Sequence, residues 1–230
     1  MQDVVELTKR LIEFPSVTPD EAGCLGFIQS ILLDSGFECE RMKFAEVDNL
    51  YAKRGSGKNF CFAGHIDVVP PGDVSKWKSD PFKPEIRDGR LYGRGASDMK
   101  AAIAASLLAG IAYKGQGSVS FLITADEEGP GINGTKKVLE VLHQRGEKID
   151  ACIVGEPTNP EKLGEMIKIG RRGSMNCTIT VHGKQGHAAY PHNADNPVKK
   201  LINILHVLQN HKLDNGNEHF SSSNLEVVTF

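Results

Sequence analysis

Between residues 3 and 13, apolar side chains recur at Val4, Leu7, Leu11 and Ile12, the spacing of one helix face, and Pro15 closes the run. The period returns at Leu25, Ile28, Ile31 and Leu32, with Gly36 standing where a helix C′ glycine belongs. Short strand-like pieces follow at about 37–44, 49–54 and 59–63. Residues 70–90 are rich in Pro, Gly and Asp, hold the single tryptophan, Trp77, and read as a long ordered loop. A very apolar helix is expected over 99–113, then a strand at 118–124, a helix at 133–145 and a strand at 150–154. Alternating strands and helices predict an α/β fold, with a mixed, mainly parallel sheet covered by helices on both faces.

After "GRRGS" (170–174) the texture changes. "MNCTITVHG" alternates like a half-exposed antiparallel strand, a helix is expected over 196–210, and "NLEVVTF" (224–230) reads as another strand. This predicts a first domain over 1–173 and a smaller α+β domain over 174–230. Both are expected to be incomplete, since the smaller one has too few elements to close a sheet.

Composition then narrows the function classes. A net charge of −2 and basic clusters no longer than Arg171-Arg172 give no footprint for nucleic acid or an anionic membrane. No apolar run approaches the ~18 residues of a membrane span, and the N-terminus has no apolar signal core, so a cytoplasmic protein is expected. The five cysteines are odd in number and widely spread, which favours reduced thiols over a disulfide framework or a Cys–zinc site.

Three buried strands end alike. "NFCFAG" runs into His65-Ile66-Asp67, "SVSFLITA" into Asp126-Glu127-Glu128, and "DACIVG" into Glu156-Pro157. In an open α/β sheet such strand ends line one crevice, and Asp98 in "GRGASDMK" sits at the mouth of the apolar helix. One imidazole with several carboxylates is a hard N/O donor set suited to divalent zinc, cobalt or manganese. The carboxylates exceed the need of one ion, so two ions sharing a bridging carboxylate are expected, with a spare acid able to take a proton from water.

On these motifs, together with "FAGHIDVVPPGD", "LYGRGASDMK", "ITADEEG", "IVGEP" and "QGHAAYPHNADNP", the sequence resembles the dinuclear zinc amidohydrolases of the aminoacylase and carboxypeptidase type. The resemblance implies a zinc-peptidase-like catalytic domain, a lid domain that pairs two subunits into a homodimer, and hydrolysis of an amide in a small-molecule substrate. It also implies two Zn2+ per complete site, with Co2+ able to substitute. By that resemblance His65 and Glu156 are ligands of one ion, Asp98 is the bridge, Glu128 binds the second ion, and Glu127 is the general acid/base. Asp67 would orient His65. His187 would reach across the dimer to polarise the amide carbonyl, while Arg171 and Ser174 hold a substrate carboxylate and Tyr190 lines the substrate site. Asp126 is left as a turn residue, and the Asp98–Met99 peptide is expected to be cis. The family has a further histidine ligand late in the chain that has no match up to Phe230, so an N-terminal portion with weak hydrolase activity is expected. A sister amidohydrolase acting on acetylornithine or a peptide, and a non-catalytic binding protein, remain as rivals.

Overall fold

A computed structural model describes residues 3–229. The chain divides into two compact units that meet at Glu165/Met166, ahead of the expected boundary after residue 173.

The first unit holds α1 (Val4–Ile12), α2 (Cys24–Asp34), β1 (Glu38–Phe44), β2 (Val47–Gly55) and β3 (Asn59–His65). A hairpin of β4 (Glu85–Arg87) and β5 (Arg90–Tyr92) follows, then α3 (Ala101–Ala112), β6 (Ser118–Thr124), α4 (Thr135–Gln144) and β7 (Ala151–Val154). The main elements lie where the hydrophobic periods put them. The expected loop over 70–90, however, contains the β4–β5 hairpin. Its turn is Asp88-Gly89, both at positive φ (49° and 71°), the Asp-Gly signature that lets two short strands reverse without splaying.

Five strands form one sheet in the order β1-β2-β6-β3-β7. The pairings β1–β2 and β2–β6 are antiparallel, and β6–β3 and β3–β7 are parallel. The three strands that were expected to end alike, β3, β6 and β7, therefore run the same way and finish on the same edge.

Side-chain alternation along β6 sorts the two faces. Val119, Phe121 and Ile123 join α1, α2 and α3 through Leu11, Leu25, Ile28 and Leu107. Leu122 faces the other way, toward α4, with Cys61, Tyr51, Val138 and Leu142. All seven residues of β6 are buried, as a central strand covered on both faces requires. Arg54 ties the helices to the sheet: its guanidinium donates to the carbonyls of Ser35, Gly110 and Tyr113 and lies 4.4 Å from the Phe37 ring centroid.

The second unit carries α5 (Pro197–Asn210), capped by the Asn196 side chain, which accepts the Val198 N–H. The strands expected at "MNCTITVHG" and over 224–230 are not formed among the described residues, and Phe230 lies outside them. A strand is defined by a hydrogen-bonded neighbour, and within this unit the recorded bridge is the isolated Lys184–Asp195 pair. Alternation supplied the face pattern but not the partner.

Candidate metal centre

His65 is the last residue of β3 and is buried, its ring held from below. Nδ1 lies 2.9 Å from the Asp67 carbonyl oxygen and 3.5 Å from Asp67 Oδ1. With Nδ1 turned to the Asp67 carbonyl, Nε2 points into the crevice. There it faces three carboxylates: Asp98 Oδ1 at 3.2 Å, Glu156 Oε1 at 3.6 Å and Glu127 Oε2 at 3.7 Å. The floor is dry and the rim is wet, since the side chain of His65 is 1% exposed and those of Asp98 and Glu127 are 51% and 46% exposed.

Asp67 is buried on the sheet side of this ring. Its Oδ1 accepts the Glu127 N–H at 3.3 Å and its Oδ2 the Glu128 N–H at 3.0 Å. One carboxylate thus fixes the imidazole and the backbone from which both glutamates project. Burial opposes the ionised form, but His65 and the Glu128 amide hold the Asp67 carboxyl below its ordinary pKa. Burial likewise opposes the His65 imidazolium, yet the bonds and charge of Asp67, with Glu127 beyond, raise it to about 9.

Two groupings of donors lie close enough to share an ion: His65 with Asp98 and Glu156, and His65 with Glu127 and Glu128. The first brings His65 and Glu156 together with Asp98. In the second, Glu128 is brought to His65 and Glu127. Burial followed by the Asp98 charge raises the pKa of Glu128, and burial with the charge of Asp98 and its hydrogen bond raises Glu156 against the pull of His65. Lys100, two residues after Asp98, offers no relief. Lys100 is buried and turns away, its ammonium donating to the carbonyls of Leu11 and Phe14 at 2.9 Å each. An imidazole nitrogen facing a ring of mutually repelling carboxylates fits a divalent cation.

Asp98 reaches this ring from an irregular turn ahead of α3. Asp98 and Met99 leave helical geometry there, and the peptide between them is cis, as expected. Met99 packs into the core, which aims the Asp98 side chain outward toward His65.

Asp126 is more than a solvated turn residue. It is buried, and its Oδ2 accepts the Asn133 N–H at 2.8 Å, closing the loop that carries Glu127 and Glu128. Glycines supply the rest, since a Cβ at Gly129 would lie 2.9 Å from Asp126 Oδ1. A carboxylate bonding back to a later amide in a Gly-rich loop was the available signal.

His187, Tyr190, Arg171 and Ser174 lie in the second unit. The rings of His187 and Tyr190 are 5.7 Å apart, and His187 Nδ1 accepts the Ala189 N–H at 3.1 Å. Arg171 and Ser174 are exposed and outside regular secondary structure.

Residues 61–222 match the model of peptidase family M20/M25/M40. The chain belongs to that family. Among its curated relatives, the succinyl-diaminopimelate desuccinylase of Parvibaculum lavamentivorans is 58% identical over 236 residues, covering 99% of this chain and 60% of the relative. That of Rhodospirillum centenum is 54% identical over 238 residues, covering 99% and 62%. The chain therefore spans about 60% of the length of these relatives. Solved structures agree on the fold. An M20 family metallo-carboxypeptidase from Sulfolobus solfataricus superposes with TM-score 0.60 at 24% identity, over 67% of this chain and 37% of that one. A tripeptidase from Staphylococcus aureus gives 0.59 at 17% identity, over 94% and 57%. M20 membership places the ring of donors around His65 in a metallopeptidase fold.

Proposed function

We propose that this chain carries the metal-binding half of an amide hydrolase that converts N-succinyl-LL-2,6-diaminopimelate to succinate and LL-2,6-diaminopimelate, a step of lysine and diaminopimelate biosynthesis. The observation that carries the reading is His65 Nε2 facing Asp98, Glu127 and Glu156, brought from separate elements to one sheet edge. The names of relatives at 52–58% identity supply the substrate.

His65, Asp98 and Glu156, which lie within reach of one ion, would hold one divalent ion, and Glu128, with Asp98 as the bridge, the second, Zn2+ or Co2+ in its place. When bound, such ions polarise the scissile carbonyl and lower the pKa of water toward about 7. The remaining work belongs to the chain. Asp67 holds the His65 tautomer that leaves Nε2 free and fixes the backbone of Glu127. Glu127, partly open to solvent, takes a proton from the attacking water and delivers it to the nitrogen as the C–N bond breaks. Arg171 and Ser174 bind a substrate carboxylate, the guanidinium through two parallel hydrogen bonds, with Tyr190 beside them. His187 donates to the amide oxygen as negative charge develops there, from the second subunit of a cytoplasmic homodimer.

The test is a substrate panel on the complete, zinc-loaded gene product, following release of free amine. Succinyl-diaminopimelate should be cleaved well ahead of acetylornithine and dipeptides. Preference for either rival would overturn the substrate assignment, and no hydrolysis with both metals bound would overturn the reaction.

A further inference from the structure

Cys61 and Cys152 are direct partners in the parallel register of β3 and β7. Adjacent strands lie roughly 4.7–4.9 Å apart, and partnered residues send their side chains to the same face. That spacing falls inside the window of about 4.4–6.8 Å between Cα atoms that a disulfide spans without backbone movement. Each of the two thiols shifts the pKa of the other, and the Cys152 thiol donates to the Ile153 carbonyl at 3.8 Å.

Their surroundings differ in a way that divides the labour. Cys61 is fully buried, packed with Leu122 and Leu142 beneath α4. Cys152 is exposed, as are all four residues of β7, which ends the sheet among the described residues. The neighbouring Cys61 lowers the Cys152 thiol to about 7, so much of it is thiolate at neutral pH. Cys24, by contrast, is buried and pushed up to about 12 by that burial, and burial also raises Cys39.

We propose that Cys61 and Cys152 form an oxidisable dithiol, with Cys152 as the site of attack on peroxide and Cys61 as the resolving thiol that closes a β3–β7 disulfide. Cys152 thiolate attacks the peroxide O–O bond, giving Cys152 sulfenic acid and hydroxide, which is protonated to water. The Cys61 sulfur then attacks the Cys152 sulfur, the S–O bond breaks, a second water leaves and the S–S bond forms. The two thiols lose two electrons and the peroxide gains them.

The consequence reaches the metal centre through register. The ladder that pairs Cys61 with Cys152 pairs Ala63 with Val154, and just beyond it Glu156 meets His65 at 3.6 Å. Among the described residues β7 pairs with β3, so a covalent bond here fixes the register that presents Glu156 to His65.

The experiment treats the metal-free chain with hydrogen peroxide, blocks remaining thiols with an alkylating agent and maps the peptides by mass spectrometry. The expected product is a Cys61–Cys152 cross-linked peptide lighter by two hydrogens, with Cys24, Cys39 and Cys177 alkylated. In Cys61→Ser, Cys152 should stop at the sulfenic acid and be trapped by a dimedone probe. In Cys152→Ser, a change at an exposed position, Cys61 should stay reduced. The proposal is overturned if Cys39 or Cys177 reacts ahead of Cys152. It is equally overturned if the wild-type chain goes to sulfenic acid without cross-linking, or if Cys61 oxidises as readily in Cys152→Ser.

Discussion

Asp67→Ala removes the one buried carboxylate that touches the His65 imidazole and the backbone of both glutamates. In wild type the two amide donors of Glu127 and Glu128 end on Asp67 oxygens at 3.3 and 3.0 Å. Each orphaned donor costs about 1–3 kcal/mol, and the partly open glutamate loop lets water recover some of that, so a loss of roughly 2–3 kcal/mol is expected. The larger signature is on His65. Burial alone pulls its pKa below 6.5, and Asp67 is the main cause of its rise to about 9. That rise is worth about 3 kcal/mol in favour of the imidazolium, and the lowered pKa of Asp67 is the same interaction seen from its other end, counted once. The sign follows from linkage. The His65 contribution is fully present below pH 6.5 and is lost as pH rises through about 9; the Asp67 contribution is present above 3.8 and is lost as pH falls through its lowered value. The stability gap between wild type and variant should therefore be widest between about pH 4 and 6.5 and should shrink by pH 9. Histidine ring-proton NMR titration of the chelator-treated chain, with urea unfolding across the same pH range, reads both. His65 in Asp67→Ala should titrate below 6.5, and zinc affinity should fall about 10–100-fold. A variant His65 that still titrates near 9 would refute the assignment of Asp67 as the group that sets this ring.

Within the proposed hydrolase, Glu127→Ala should remove nearly all turnover of the complete gene product while its metal content is kept, whereas Glu128→Ala should lose one ion; metal analysis beside the amine-release assay separates them. Gly64→Ala should destabilise by about 1–3 kcal/mol in urea unfolding, because the added Cβ would sit 2.6 Å from Met99 Cε and 2.8 Å from Ile103 Cδ1. Lys100 is pulled down to about 8 by burial from 10.5, so the unfolded chain binds more protons between those values. Wild-type stability should accordingly rise relative to Lys100→Met by about 3 kcal/mol from pH 8 to 10.5, and a flat difference would show that the ammonium is not held in a desolvated site.

Much of the first unit could be read along the chain because its elements announce themselves locally. Val4, Leu7, Leu11 and Ile12 make a helix face whatever lies opposite, and "SVSFLIT" is apolar enough to be a central strand. The donors at the ends of β3, β6 and β7 were visible because each follows an apolar run. Strand β6 is buried as expected, while β7, also expected to be buried, is exposed at all four residues because no helix or further strand covers it among the described residues. Their separate roles came from the resemblance rather than from spacing, since three adjacent acids look alike in sequence. The Asp88-Gly89 hairpin was signalled and passed over within a Pro/Gly/Asp-rich stretch.

Pairing and burial were decided by the tertiary structure, because both depend on residues far apart in sequence. Alternation in "MNCTITVHG" fixes two faces but names no neighbour, and no ladder forms there. Lys100 reads as a surface charge until α1 offers it the carbonyls of Leu11 and Phe14. Asp126 reads as a solvated turn until it closes on Asn133. Cys61 and Cys152 are 91 positions apart and become partners through the β3–β7 register. The sequence by itself determined which residues want to be buried and which carry charge. The fold decided which of those charges, thiols and amides meet, because a hydrogen bond or ion pair acts over a few ångströms of space and takes no account of distance along the chain.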